Sequence, residues 1–103
     1  MNSNLLRWQV FEITSKESSL NGIMLRGRIR KFGIENGINV LAENTEDLDN
    51  AVRFSVLNNE DAEKIKTYLK TIVDDMVAES KLVDTPNPVL SKLKVNIESR
   101  YNL

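Results

Sequence analysis

Residues 60 to 78 place Ile65, Leu69, Ile72, Val73 and Met76 on one stripe at three- and four-residue spacing, the period of an amphipathic helix. Asn59 stands where a cap is needed, and Glu60 and Asp61 fall at the positive end of such a helix. Glu60 and Lys64 add an i,i+4 pair worth about 0.2–0.5 kcal/mol. The spacing predicts the longest helix of the chain over 60–78, with Ile65, Leu69, Ile72 and Met76 facing a sheet. An apolar stripe of that size has to be covered, and the rest of the chain reads mainly as strands.

Residues 7–14, Arg-Trp-Gln-Val-Phe-Glu-Ile-Thr, are rich in aromatic and β-branched types and predict a first strand. A polar stretch then ends at Asn21-Gly22, a pair suited to a tight turn. From Ile23 to Lys31 alternation predicts a second strand, with Ile23, Leu25 and Ile29 on one face and Met24, Arg26, Arg28 and Arg30 on the other. Asn36-Gly37, flanked by Ile34 and by Ile38-Asn39-Val40-Leu41-Ala42, predicts a two-residue hairpin loop. A helix through Ile34, Ile38 and Leu41 is the competing reading, and it would put Gly37 inside the helix at roughly 1 kcal/mol relative to alanine. Residues 43–50 form an acidic, polar connection to Ala51–Leu57, where Val52, Phe54 and Val56 alternate with Arg53 and Ser55 as in a strand. A helix through Leu48, Val52 and Ser55 is the alternative there. Beyond the prolines at 86 and 88, alternation from Val89 to Ile97 predicts a last strand, and Tyr101 and Leu103 are candidates to dock on the body of the domain.

At 103 residues the chain has material for one core, so a single domain over 1–103 is expected. Strands followed by a covering helix make it α+β: an antiparallel sheet with helix packed on one face. The hydrophobic fraction of 41% and charged fraction of 28% are those of an ordinary globular protein. No apolar run approaches the ~20 residues that span a bilayer, and the first residues lack the pattern of a secretory signal. A cytoplasmic protein with no membrane contact is the expectation. The absence of cysteine and histidine removes thiolate and imidazole chemistry, so no metal, cofactor or catalytic residue is expected. A net charge of −1 argues against a general nucleic-acid field.

Two stretches carry a family resemblance. Leu25-Arg26-Gly27-Arg28-Ile29-Arg30, followed by Asn36-Gly37-Ile38-Asn39-Val40-Leu41-Ala42-Glu43-Asn44, resembles the central hairpin of acylphosphatases. In a second, mutually exclusive register, Gly27-Arg28-Ile29-Arg30-Lys31-Phe32-Gly33-Ile34-Glu35 is similar to that family's phosphate-cradling loop, matching at Gly27, Ile29, Gly33 and Ile34. The first register spans about a fifth of the chain and the second about a tenth. The resemblance implies a ferredoxin-like, acylphosphatase-like sandwich. It does not imply the activity: the family's catalytic arginine falls at Glu35 in the loop register, and its water-orienting asparagine falls at Lys31 in the hairpin register. A carboxylate at the first position would repel an acyl phosphate.

The candidate site is Arg26, Arg28 and Arg30. Guanidinium groups give planar, multidentate recognition of oxyanions, so three on one strand face would bind an anionic group or an acidic partner, with Arg53 a possible extension. The plainer reading is a solvated face paired to nearby carboxylates. Glu43, Glu46, Asp47 and Asp49 could in principle hold a hard cation, but their spacing is not that of a calcium loop. Lys92 and Lys94 fit protection of an exposed edge, and Trp8 fits the core. The function expected is a non-catalytic binding or regulatory domain whose partner is a protein or a small anionic ligand. An acyl-phosphate or phosphate-ester hydrolase is the alternative. A nucleic-acid-binding module comes third, since no aromatics interleave with the arginines.

Overall fold

The computed structural model describes residues 6–95. The chain runs β1 (Trp8–Thr14), α1 (Leu25–Asn36), β2 (Val40–Asn44), β3 (Ala51–Val56), α2 (Asn59–Lys70) and β4 (Val77–Thr85), then a short hairpin of β5 (Pro88–Val89) and β6 (Lys94–Val95). The first four strands form one antiparallel sheet in the order β2-β3-β1-β4. The α+β class and the antiparallel sheet are as the alternation implied.

Both helices cover the same sheet face. Leu25 and Ile29 from α1, and Ala62, Ile65 and Leu69 from α2, join Phe11, Ile13, Ala42, Val52, Phe54 and Val56 in one buried cluster. Phe11 and Phe54 stack across neighbouring strands, and Phe32 of α1 stacks on Tyr68 of α2 at 4.4 Å between ring centres. Period-two alternation in β1 and β3 sends these residues to the helices and sends Val10, Glu12, Arg53 and Ser55 to the opposite face. Leu90, from the turn between β5 and β6, is buried, and its carbonyl accepts from Arg53 on that second face.

Residues 25–36 are helical, where the sequence reading had a strand and then half a hairpin. Leu25, Ile29 and Gly33 are the buried residues of α1, a period of four that supplies only two apolar side chains and is easily read as alternation. The Asn36-Gly37 pair ends this helix instead of turning a hairpin. Gly37 takes φ 65°, ψ 31° and its N–H donates to Gly33 O, so the left-handed conformation that suits glycine in a turn serves here as a helix cap. Gly33 is needed for packing, because a Cβ on it would lie 2.4 Å from Cγ1 of Val40 in β2.

The second helix is shorter than predicted. It is capped by Asn58, whose side chain accepts from Asp61 N–H, and not by Asn59. At twelve residues it equals α1 and is not the longest. Thr71-Ile72-Val73 is β-branched, and Asp74 and Asp75 would sit at the negative end of a longer helix, so the chain leaves the helical path there. Val73 and Met76 are still buried, from the connection to β4. The predicted strand over 89–97 is instead the β5–β6 hairpin, turned through Leu93 at φ 53°. Residues 96 and 97 and the tail positions Tyr101 and Leu103 lie outside the described residues. Trp8 begins β1 opposite Thr85 and is half-buried, not core.

Candidate functional site

A helix turns by roughly 100° per residue, so the three arginines do not share a face. Arg26 and Arg30 are about 40° apart and Arg28 points elsewhere. Arg26 Nη1 lies 3.6 Å from Glu43 Oε1, and Arg30 Nη2 lies 3.0 Å from Glu43 Oε2. Arg30 Nη2 also donates to the carbonyl of Ala42 at 2.8 Å. Two of the three predicted anion binders are thus engaged by one carboxylate of β2.

Arg28 forms no ion pair among the described residues. Its Nε donates to Ile23 O at 2.8 Å, which fixes the side chain along the start of α1, where it lines a groove of about 470 Å³. Lys31, Met24, Gly27, Glu35 and Tyr68 line the same groove. Among the described residues Lys31 has one ion-pair partner, Glu35 at 4.0 Å, with both side chains largely exposed. Met24 is 71% exposed and sits at φ 58°, ψ 44° with no side-chain cap on the helix it precedes. A left-handed conformation is uncommon for a residue of this type. The groove therefore combines two cations, one carboxylate and an exposed thioether.

Arg53 does not extend this patch. It lies on the opposite sheet face, 2% exposed. Its Nε donates to Glu12 Oε2 at 2.9 Å, Nη1 donates to Leu90 O at 2.9 Å, and Asp47 Oδ1 lies 2.9 Å from Nη1. The Arg53 hydrogen bond holds the Asp47 carboxyl below the usual range. Lys81 reaches Glu12 at 3.6 Å and Glu79 at 2.7 Å. Its pKa is raised, first by the hydrogen bond to Glu79 and then by the charge of Glu12.

The carboxylates 43, 46, 47 and 49 do not converge. Glu43 serves Arg26 and Arg30, Glu46 lies 3.7 Å from Lys92, and Asp47 serves Arg53. Among the described residues no cluster of three or more acidic side chains could hold a metal ion.

The loop from β1 to α1 contains a feature that the sequence reading missed. Ser15 Oγ and the N–H groups of Lys16 and Glu17 all donate to the carboxylate of Asp75, at 2.7, 2.9 and 3.1 Å. These bonds, that of Ser15 first, hold the Asp75 pKa low. Asn50, at φ 51°, accepts from Leu20 N–H and donates to the carbonyls of Ser15 and Ser18. The loop thus gathers its donors around an oxyanion, and the oxyanion is the chain's own.

The register that aligned Gly27–Glu35 with a phosphate-cradling loop falls on α1, where the backbone N–H groups from Arg28 onward are committed to helix. Comparison with protein-family models, curated proteins and solved structures finds no match.

Proposed function

We propose that this chain is a non-catalytic binding or regulatory domain with a ferredoxin-like, acylphosphatase-like sandwich, and that it recognises an anionic group or acidic partner through the Arg28 side of α1. The element order β1α1β2β3α2β4, with strand order β2-β3-β1-β4, supports the fold assignment, since it is two interleaved βαβ units with both crossovers on one face. The absence of catalysis is supported by the β1–α1 loop, whose converging donors hold Asp75 and are not available to an acyl phosphate. Glu35 and Lys31, at the aligned catalytic positions, face each other on α1.

One observation carries the binding assignment. Of the three arginines, Arg28 alone has no carboxylate within ion-pair distance among the described residues, and it shares its groove with Lys31. An exposed guanidinium is well hydrated by itself, so affinity there depends on a ligand that offers planar oxyanions together with apolar contact for Met24 and Tyr68.

The test is a titration of wild type and Arg28→Glu with an acidic peptide carrying one aromatic residue, at low and moderate salt. Wild-type binding weakens with salt, because exposed charges are screened beyond about 8 Å at physiological ionic strength. Arg28→Glu loses that binding and keeps the wild-type circular dichroism. Equal binding by both proteins, without salt dependence, refutes the assignment. Hydrolysis of an acyl phosphate at about 1 s⁻¹ or faster, a rate typical of enzymes, refutes the non-catalytic part.

A further inference from the structure

We infer that the free edge of β2 is a strand-pairing surface for a second copy of this chain, and that Arg30 is the stopper that keeps it closed. The sheet has two edges. Among the described residues these are β2 and β4. An open edge presents unpaired N–H and C=O groups and invites another strand unless something blunts it.

Strand β4 is blunted by its own geometry. Its pairing with β1 shifts between Val10↔Leu82 and Phe11↔Ser80, so that Lys81 is the extra residue of a bulge. Lys81 turns onto Glu12 and is largely covered. A bulge with an inward charge is a recognised guard against strand addition.

Strand β2 has neither device. Its register with β3 runs without interruption from Val40↔Val56 to Asn44↔Val52. Alternate residues of an antiparallel strand send their backbone groups to opposite sides. Thr45 N–H donates to Ala51 O of β3, while Ala42 O is reached from outside by Arg30. The backbone groups of Val40, Ala42 and Asn44 therefore face the open edge. Beside them Ile34 is 83% and Leu41 41% exposed, and both line a shallow groove of about 290 Å³ that runs along the edge. Among the described residues Arg30 is the group that bonds the backbone of this edge, holding the central carbonyl and itself held by Glu43.

The edge is complementary to itself. Antiparallel pairing about Ala42 sets Val40 of one copy opposite Asn44 of the other, so that the outward groups of both strands find partners. Arg30, displaced from Ala42, keeps the carboxylate of its own Glu43. The exposed Ile34 and Leu41 side chains are covered in the same step.

The experiment measures mass by sedimentation equilibrium over a concentration series, and amide exchange residue by residue, for wild type, Arg30→Ala and Arg30→Ala with Asn44→Pro. Wild type stays monomeric. Arg30→Ala doubles in mass as concentration rises, with slowed exchange at the Ala42 amide. The added Asn44→Pro returns it to monomer, because proline removes an edge donor while breaking no bond to β3. Circular dichroism of Asn44→Pro alone, matching wild type, shows that the reversal is not unfolding. If Arg30→Ala remains monomeric with wild-type exchange at Ala42, the inference is overturned. Association without slowed exchange at Ala42 overturns it as well, since another surface is then responsible. A wild type already paired through this edge overturns the stopper role.

Discussion

Replacing each of the two glycines inside α1 with alanine makes the same chemical change in the same helix, and the structure assigns the two variants opposite outcomes. Removing glycine's extra backbone freedom favours the helix by about 1 kcal/mol in either case. At Gly27 a new Cβ meets no atom within 4 Å, so Gly27→Ala stabilises the domain by roughly 0.5–1 kcal/mol, the smaller figure allowing for its place in the first turn. At Gly33 the Cβ would stand 2.4 Å from Val40 Cγ1 and 3.1 Å from Ile38 O. The β-branched valine cannot swing clear as a long side chain would, so α1 must move off β2, and overpacking of this kind costs about 1–3 kcal/mol. Gly33→Ala is therefore neutral to destabilising by about 2 kcal/mol, and the difference between the two variants is mainly the steric cost. Urea unfolding monitored by circular dichroism reads both, with an unchanged m-value as the check that only stability has moved. Adding Val40→Ala to Gly33→Ala relieves part of the loss relative to Val40→Ala alone, which a double-mutant cycle resolves. Equal stabilisation by both glycine substitutions would refute the close approach of α1 to β2.

Three further outcomes follow from the packing and the charges. Leu69→Ala removes a fully buried side chain from the junction of α2 and the sheet and costs about 2–5 kcal/mol in the same assay; a change within about 0.5 kcal/mol, the range of surface substitutions, places the stripe in solvent. Glu12→Gln strips the charge from one of the two carboxylates that pair with the buried Arg53 and destabilises by roughly 1.5–3 kcal/mol, the range for a hydrogen bond to a charged group, since Asp47 still faces the guanidinium; Glu12→Gln with Arg53→Met recovers part of the loss. Asp75 has a depressed pKa, so its contribution is fully present above its ordinary value of 3.8 and disappears as the pH falls through the lower folded value. Asp75→Asn thus flattens the acid limb of a stability-against-pH curve, and an unaltered limb means that the loop does not depend on this carboxylate.

Local period carried β1, β3 and the first part of α2. Val52, Phe54 and Val56 alternate, and Ile65 and Leu69 recur at four, whatever the rest of the chain does, because each pattern records which side of a single element meets the core. The α+β class followed from those elements. Residues 25–36 were not legible in this way, because a short helix carrying two glycines and only two fully buried apolar side chains has nearly the same local signature as a strand. The Asn36-Gly37 pair could not decide the matter, since a left-handed glycine ends a helix as readily as it turns a hairpin. The choice was made by contacts distant in sequence, with Gly33 against Val40 and Phe32 against Tyr68. The candidate site changed with it. Three arginines at alternate positions share a face only on a strand, so once those residues coil into α1, Arg26 and Arg30 turn to Glu43 and Arg28 turns away. The pairing of Glu12 with Arg53, 41 positions apart, and the seat of Asp75 among the donors of Ser15 to Glu17 leave no trace in either neighbourhood of the chain. A charge in a sequence names no partner, and only the antiparallel register and the loop that closes beside it bring these groups within hydrogen-bond distance.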